Sequence, residues 1–430
     1  MDSIVILGAG AGTRMRSDTP KILHKISGKS MIEHSLQTAL EMSDDVHLVL
    51  FHKQELIRSH LASYEDKIHF HIQDYANFPG TAGAVMSVTP KYERVYILNG
   101  DMPLITQDDL SPFTSFASDV TMSAMVLDDP KGYGRVLTNT HNEVQKIVEE
   151  KDADEAIRQV QKVNAGVYLF RTIILQEFLQ KINNSNAQGE YYLTDIIELC
   201  LREQKSVSCL EVSSTHFQGV NSKYELSLAD ETMQKRIKKK WMLEGIVFEL
   251  ADTSYIECGV VFEGECVVES GVMARGTTTV KNSHIKAHSV LEDAYLEDSS
   301  VGPNARIRPK TRLVQSHIGN FVETKNAQLY KVKAGHLSYI GDAVIDEGTN
   351  VGAGFITCNY DGKNKHKTTI GKNVFIGSDT QVVAPITIDD DVLIAAGTTL
   401  TKDAKKGELV LARAKAQTIQ GYYYKFFPTS

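Results

Sequence analysis

Residues 370–400, with the sequence IGKNVF IGSDTQ VVAPIT IDDDVL IAAGTT L, place an aliphatic residue at every sixth position: Ile370, Ile376, Val382, Ile388, Ile394 and Leu400. Small or turn-forming residues follow most of them. An α-helix cannot produce this period, because its apolar positions recur about every 3.6 residues. The period predicts a parallel β-helix, in which each hexapeptide forms one short flat side and its aliphatic residue points inward.

The same period extends upstream and is interrupted once. It recurs at Ile256, Phe262, Val268, Ala274 and Val280, and again at Val301, Ile307 and Leu313. Between Val351 and Ile370 it breaks at GAGFITCNYDGKNKHKTT, a polar stretch rich in Gly, Asn and Lys. An insert in a solenoid is extruded as a loop from one edge, so we expect this loop on a functional face.

The N-terminal half has a different pattern. Short apolar runs alternate with helical patterns such as Met31–Met42; the runs are Ile4–Leu7, Val46–Phe51, Ile68–Ile72 and Val95–Leu98. This alternation predicts a Rossmann-like α/β domain with a parallel or mixed sheet, whose ligands lie beyond the carboxyl ends of the strands.

A long polar helix is predicted over residues 224–243, with the lysine-rich run Lys235–Lys240 on a solvated face. The expected domains are therefore a nucleotidyltransferase domain at 1–223, a linker helix at 224–245 and a β-helix at 246–430.

Composition excludes several classes of protein. The chain has 430 residues, 42% of them hydrophobic, and a net charge of −8, which gives no reason to expect nucleic acid or an anionic membrane as partner. The N-terminus has no basic region, and no apolar stretch is long enough for a membrane span. Five scattered cysteines show neither metal-ligand spacing nor a disulfide framework, so a cytoplasmic location is expected.

Two features of the N-terminal half suggest phosphate chemistry. Gly8–Arg14 follows the first strand and precedes Lys21, but it matches neither the dinucleotide fingerprint nor a Walker A loop. Its backbone N–H groups can approach phosphates, although a tight turn with solvated basic residues would have the same pattern. Asp101 follows the strand at 95–98, where it can hold Mg²⁺ or simply occupy a turn.

One histidine stands out in the repeat region. His336 lies in Lys333–Tyr339 and has a side chain suited to accept a proton near neutral pH. Arg306, Arg308 and Lys325 are candidate cations for a sugar phosphate. A hydrogen-bonded structural histidine is the alternative.

In combination these motifs resemble the sugar-1-phosphate nucleotidyltransferase family. The shared motifs are Leu7–Met15 with Pro20-Lys21, Pro79–Ala84, Gly132–Arg135, Val148-Glu149, Asn164–Gly166, Gln188–Asp195 and Gly219–Asn221. With the C-terminal half included, the chain resembles the bacterial family of bifunctional N-acetylglucosamine-1-phosphate uridyltransferases/glucosamine-1-phosphate acetyltransferases. The spacing from Gln73 to Gly80 is longer than in the family pattern.

The resemblance implies roles for residues of the N-terminal half. Arg14 and Lys21 would act in catalysis, while Asp101 and Asn221 would bind Mg²⁺. Gln73, Gly80 and Thr81 would contact the uracil of UTP, and Gly134, Glu149, Asn164 and Asn221 would contact the sugar. The UDP-sugar site would be completed by Leu7, Gly8, Ala9, Gly10, Gly12, Thr13, Asn99, Gly100 and Asp101.

For the C-terminal half, the resemblance implies a left-handed β-helix with His336 as general base. Glucosamine 1-phosphate would be bound by Arg308, Lys325, Tyr339 and Asn350. Acetyl-CoA would be bound by Ala353, Asn359, Tyr360, Ser378, Ala396 and Arg413. The acetylated product, N-acetylglucosamine 1-phosphate, would then react with UTP, and the protein would be a homotrimer without nucleic-acid or membrane partners.

Two other functions are compatible with the general pattern. One is a single-activity nucleotidyltransferase with a regulatory β-helix, which the Lys333–Tyr339 motif and Asn359-Tyr360 speak against. The other is a non-catalytic scaffold, which the combination of Arg14, Lys21, Asp101 and Asn221 speaks against.

Overall fold

The computed structural model describes residues 1–10, 12–141, 143–412 and 414–427. The chain divides into two compact units, Met1–Met233 and Gln234–Ser430. In the described ranges no helix is both long and apolar enough to cross a membrane.

The N-terminal unit is built on a mixed sheet with nine strands. Seven follow one another across the sheet in the order Val207–Glu211, Val120–Val126, Lys162–Arg171, Arg94–Asn99, Ser3–Leu7, Val46–Leu50 and His69–Ile72. Strands Arg135–Thr138 and Val144–Val148 extend the sheet beside Lys162–Arg171. Ser3–Leu7 pairs in parallel with both of its neighbours, so the carboxyl ends of these central strands lie at one edge.

The helices of this unit cover the sheet. They span Met31–Met42, Gln54–His60, Thr81–Val85, Gln107–Leu110, Glu155–Arg158, Thr172–Leu179, Leu193–Arg202 and Ser214–Phe217. The predicted helix Met31–Met42 is confirmed, and it begins at a capping box. The Ser30 hydroxyl accepts a hydrogen bond from the Glu33 N–H, and the Glu33 carboxylate accepts one from the Ser30 N–H.

The helix Lys223–Leu243 confirms the predicted helix but corrects its surface. Lys235, Lys239 and Lys240 are exposed, whereas Lys238 is only 4% exposed. The Lys238 ammonium donates to the carbonyl oxygens of Ala251 and Ser254, 2.7 and 3.1 Å away. The expectation of a fully solvated lysine face was therefore wrong. The segment that follows the helix lies against Lys238 and supplies the carbonyl groups that its ammonium binds.

The C-terminal unit is a left-handed parallel β-helix, as predicted. One side is a ladder of ten strands: Val247–Phe248, Val267–Val268, His284–Ile285, Ser300–Val301, His317–Asn320, Lys333–His336, Asn350–Val351, Phe375–Ile376, Leu393–Ile394 and Leu409–Val410. The strands of the other sides form a fifteen-stranded sheet: Tyr255–Ile256, Val261–Glu263, Met273–Arg275, Thr279–Lys281, Val290–Glu292, Tyr295–Glu297, Arg306–Ile307, Arg312–Val314, Glu323–Tyr330, Tyr339–Ile345, Ile356–Cys358, Thr368–Ile370, Gln381–Val383, Ile386–Ile388 and Thr399–Leu400.

The repeat explains this architecture. Val351, Ile376 and Ile394 lie in register in successive coils, and each is buried in one continuous core. Many of the corners have positive φ, and Asn, Asp and Gly, which tolerate this conformation, occupy most of them. The six-residue period therefore combines an inward-pointing aliphatic residue with corner residues that often have the left-handed (positive φ) backbone conformation.

Candidate active sites

A cavity of about 510 Å³ lies at the carboxyl ends of the central strands in the N-terminal unit. Ten of the predicted nucleotide-site residues line it: Leu7, Gly8, Ala9, Gly10, Lys21, Gln73, Gly80, Thr81, Asn99 and Asp101. Its other lining residues were not predicted; they are Ile22, Phe51, His52, Tyr75, Ala84 and Glu190. Glu190 belongs to a quoted motif, and Tyr75 lies in the long Gln73–Gly80 spacer, so the sequence contained a signal for both.

Close packing explains the glycines around this cavity. Gly12 has φ 62°, and a Cβ there would be 2.6 Å from the Cβ of Lys21, so the loop approaches Lys21 closely only with glycine. The Gly100 N–H donates to the Leu7 carbonyl oxygen at 2.9 Å and joins the ends of two strands. Thr13 and Arg14 are exposed in the turn Thr13–Met15 and do not line the cavity.

The structure brings the side chains of Asp101 and Asn221 together around the ammonium group of Lys21. The Lys21 ammonium is ion-paired with Asp101 and donates to Asn221 Oδ1 at 3.0 Å. Asn221 is oriented by two further bonds: its Nδ2 donates to the Gly219 carbonyl oxygen at 3.2 Å, and its backbone N–H donates to Glu225 at 2.7 Å. The amide oxygen and the carboxylate therefore face the same point.

This donor set fits Mg²⁺. A carboxylate and an amide oxygen are hard ligands, and Mg²⁺ is often held by one or two protein groups together with water and phosphate oxygens. The ammonium group of Lys21 shows that both oxygens can approach one positive charge at once. Across the described residues there is no cluster of three His, Cys, Asp or Glu side chains suited to a metal.

Three predicted sugar contacts lie together beside the cavity. A Cβ on Gly134 would be 3.3 Å from Glu149 Oε1, which accepts a hydrogen bond from the Thr194 hydroxyl at 3.0 Å. Burial raises the pKa of Glu149, and the hydrogen bond from Thr194 offsets part of that rise. The Asn164 backbone N–H donates to the Gly134 carbonyl oxygen at 2.8 Å, and its side chain donates to Tyr168 at 2.6 Å.

Gly166 connects this group to the cavity. The Asn99 side chain donates to the Gly166 carbonyl oxygen at 3.2 Å, and the Gly166 N–H donates to Asn164 Oδ1 at 3.0 Å. Gly166 has φ 76°, and a Cβ there would be 2.6 Å from the Asn99 side chain. Asn99 therefore lines the cavity and also contacts the segment that carries the predicted sugar contact Asn164.

In the C-terminal unit, His336 ends the strand Lys333–His336 and is exposed. Its backbone pairs with Asn320, whose buried Oδ1 has no hydrogen-bond partner in the described chain. The Ser338 hydroxyl donates to the His336 carbonyl oxygen at 2.8 Å and fixes the backbone just beyond the histidine. The imidazole is thus exposed to solvent at the end of a paired strand.

Three cationic side chains, those of Arg308, Lys325 and Lys365, lie near one another in the C-terminal unit. Arg308 is ion-paired with Glu323 at 2.7 Å. A contact with Lys365, followed by the charge of Arg308, lowers the pKa of Lys325. Lys365 lies in the inserted loop and was not predicted. Cations this close repel one another, so the group is suited to an anion such as a sugar phosphate.

The side chains of Tyr339 and Asn359 lie close to each other beside Gly341, whereas Asn350 lies on a different side of the coil. A Cβ on Gly341 would be 2.5 Å from Tyr339 Oη and 2.8 Å from Asn359 Nδ2. Asn350 lies in the ten-stranded ladder, paired with Lys333 and Phe375. Tyr360 is 61% exposed in the loop. Within one chain, the predicted sugar contacts Tyr339 and Asn350 therefore belong to separate ladders.

Three of the six predicted acetyl-CoA contacts form a column. The Asp379 N–H donates to the Ala353 carbonyl oxygen at 2.7 Å, and the Gly397 N–H donates to the Ser378 carbonyl oxygen at 2.8 Å. With the register of the ladder, these bonds place Ala353, Ser378 and Ala396 at equivalent positions of successive coils. Arg413 lies outside the described residues.

The N-terminal unit has a glycine loop and, at the same edge of its sheet, oxygen ligands suited to a cation. The same chain continues into a hexapeptide coil that bears a histidine and clustered cations. These features define a nucleotidyltransferase fused to a hexapeptide-type transferase. Family models agree: residues 4–167 match the MobA-like NTP transferase domain, and residues 367–402 match the bacterial transferase hexapeptide family. Proteins named "Bifunctional protein GlmU" match almost the whole chain. That of Aliarcobacter butzleri is 55% identical over 99% of this chain and 98% of its own length, and that of Wolinella succinogenes is 50% identical over 100% and 99%. The chain belongs to the bifunctional GlmU family.

Solved structures give a weaker likeness. A chain described as a putative glucose-1-phosphate thymidylyltransferase from Bacillus anthracis is 19% identical, with a TM-score of 0.44. The match covers 54% of this chain and 94% of the Bacillus anthracis chain, and it adds nothing to the family assignment.

Proposed function

We propose that this chain catalyses two consecutive transfers in the synthesis of UDP-N-acetylglucosamine. The C-terminal site would acetylate glucosamine 1-phosphate from acetyl-CoA. The N-terminal site would then transfer uridylyl from UTP to N-acetylglucosamine 1-phosphate and release pyrophosphate. Lys21 and Asp101 line the cavity, and Asn221 contacts Lys21; their convergence, in the same chain as the His336 coil, is the observation that supports both transfers.

In the N-terminal site the protein would act mainly by positioning charge. The glycine loop and Lys21 would hold the phosphates of UTP, while Glu149 and Asn164 would orient the sugar. A phosphate oxygen of the sugar phosphate would attack the α-phosphorus of UTP, forming one P–O bond as the bond to pyrophosphate breaks. Asp101 and Asn221 would hold Mg²⁺, which neutralises charge on the polyphosphate when bound.

In the C-terminal site His336 would act as general base. Arg308, Lys325 and Lys365 would hold the phosphate of glucosamine 1-phosphate. His336 would take a proton from the amine, which attacks the thioester carbonyl carbon of acetyl-CoA, and coenzyme A would leave as the thiol. Acetyl-CoA would be contacted by Ala353, Asn359, Tyr360, Ser378 and Ala396, together with Arg413, which is not among the described residues.

The arrangement of Tyr339 and Asn350 supports a site shared between copies of the chain, and the family resemblance makes the proposed assembly a trimer. Because these predicted sugar contacts lie on different ladders of one coil, a site using both would take one from a neighbouring copy. Light scattering of the full chain should give three times the mass of the monomer. We also propose a cytoplasmic location, where the five free cysteines would remain reduced.

Single substitutions test the two sites separately. Asp101→Ala should abolish uridylyl transfer and leave acetyl transfer unchanged, and His336→Ala should do the reverse. Asp128→Ala and His288→Asn are matched controls, because both side chains are exposed and lie outside the proposed sites. If His336→Ala kept full acetyl transfer, the base assignment would be wrong. An unsubstituted chain active only in uridylyl transfer would favour the regulatory β-helix instead.

A further inference from the structure

Two aromatic side chains form a wall of the nucleotide cavity and have no role in the function described above. Phe51 and Tyr75 stack on each other, with ring centroids 4.7 Å apart and planes inclined by 14°. Both line the cavity, and they remain 41% and 40% exposed. The pair therefore keeps open aromatic surface that a planar ligand can cover.

Strand register brings the two rings into contact. Phe51 follows Val46–Leu50 directly, and Gln73 follows the neighbouring strand His69–Ile72. The Gln73 backbone N–H donates to the Leu50 carbonyl oxygen at 2.8 Å and extends the pairing by one residue. Tyr75, two residues further on, then reaches Phe51.

Hydrogen bonds hold the loop that carries Tyr75. The Phe78 N–H donates to the Asp74 carbonyl oxygen at 2.8 Å, and the Asn77 side chain donates to the Asp74 carboxylate at 2.7 Å. The Tyr75 hydroxyl donates to Glu190 at 3.3 Å. Tyr75 is thus placed before any ligand arrives, which reduces the entropy lost on binding.

Gln73 adds a polar group to the same cavity. Its Nε2 donates to the carbonyl oxygens of Phe78 and Gly80, both at 2.9 Å, so both amide hydrogens are committed. Its Oε1 remains as an acceptor. A nucleobase needs partners for its edge and for its face, and the cavity offers Gln73 for the edge and the ring pair for the face.

We propose that Phe51 and Tyr75 are the stacking wall for the uracil of UTP and a determinant of base affinity in this chain. The inference rests on the proposed uridylyl transfer. The long Gln73–Gly80 spacer supplies Tyr75, so the added residues of this loop would have a binding role.

Calorimetric titration of the full chain tests the wall, with UTP and pyrophosphate as separate probes in the presence of Mg²⁺. Tyr75→Leu should raise the Kd for UTP by about 5- to 100-fold, the range expected for losing a base–aromatic stack. The Kd for pyrophosphate should stay unchanged, because that ligand has no base. Phe78→Leu is the matched control: Phe78 lies in the same loop and is equally exposed, but it does not line the cavity.

Further variants separate stacking from loop damage. Phe51→Leu should repeat the selective loss of UTP affinity, and Tyr75→Phe, which keeps the ring, should recover most of it. The inference is overturned if both leucine variants bind UTP within twofold of the unsubstituted chain, or if pyrophosphate affinity falls equally. Failure of the unsubstituted chain to turn over UTP would instead refute the proposed function.

Discussion

Replacing Ile376 by alanine should destabilise the coils that carry the proposed acetyl-transfer site and leave uridylyl transfer intact. Ile376 is fully buried and lies between Val351 and Ile394 in the core column. The substitution removes three carbons worth about 0.8 kcal/mol each, and the cavity left behind raises the loss to about 3–4 kcal/mol. Ile376→Val, which removes one carbon, should cost only about 1 kcal/mol.

Thermal inactivation of both activities, followed in the same sample, measures this effect. Stability in a solenoid is a sum of neighbouring contacts, so the damage should stay near the substituted coil and affect Ser378, two residues away. Acetyl transfer should therefore be lost at a lower temperature than in the unsubstituted chain, and uridylyl transfer at the same temperature. The sole tryptophan, Trp241, is buried against Phe262 near the start of the β-helix. Its fluorescence therefore reports on a part of the β-helix that is many coils away from position 376 in the sequence.

The reasoning is refuted if alanine and valine at position 376 have equal effects. It is also refuted if Ile376→Ala inactivates both transfers together, since that would mean that the two units do not unfold separately.

Three further outcomes are expected. Gly80→Ala should lower uridylyl transfer at least tenfold while acetyl transfer persists in the same assay, because Gly80 has φ 97° and a Cβ would be 2.6 Å from the Tyr191 carbonyl oxygen. Lys325→Met should raise the KM for glucosamine 1-phosphate about 10- to 100-fold with an unchanged KM for acetyl-CoA, through loss of a charged hydrogen bond; equal changes in both would contradict a phosphate contact. Burial, reinforced by Glu198, raises the pKa of Asp195 to about 6, so this group favours the folded state when protonated and loses that contribution as the pH rises through 6. Asp195→Asn should therefore raise the urea midpoint more near pH 8 than near pH 4, and a pH-independent change would contradict the shift.

The sequence alone predicted the features that depend on local pattern. The β-helix follows from the spacing of residues such as Ile370 and Ile394, because one repeat determines every coil. Leu7 and Asp101 line one cavity, as expected for residues at the carboxyl ends of neighbouring parallel strands, which meet at one edge. Which roles these residues have stays a prediction.

The features that were missed depend on contacts between distant segments. The stacking of Phe51 on Tyr75 requires the register between two strands, which no local pattern encodes. Burial of Lys238 depends on two carbonyl groups of the following turn. Lys365 approaches Lys325 only because the inserted loop folds back along the coil.

The inserted loop leaves the ladder undisturbed. Val351 pairs with Ile376 across the insert as regularly as Ile376 pairs with Ile394 across an ordinary coil. Residues can therefore be added to or removed from the loop without shifting any later strand. The loop length can vary while the strand that carries His336 keeps its pairing in the ladder.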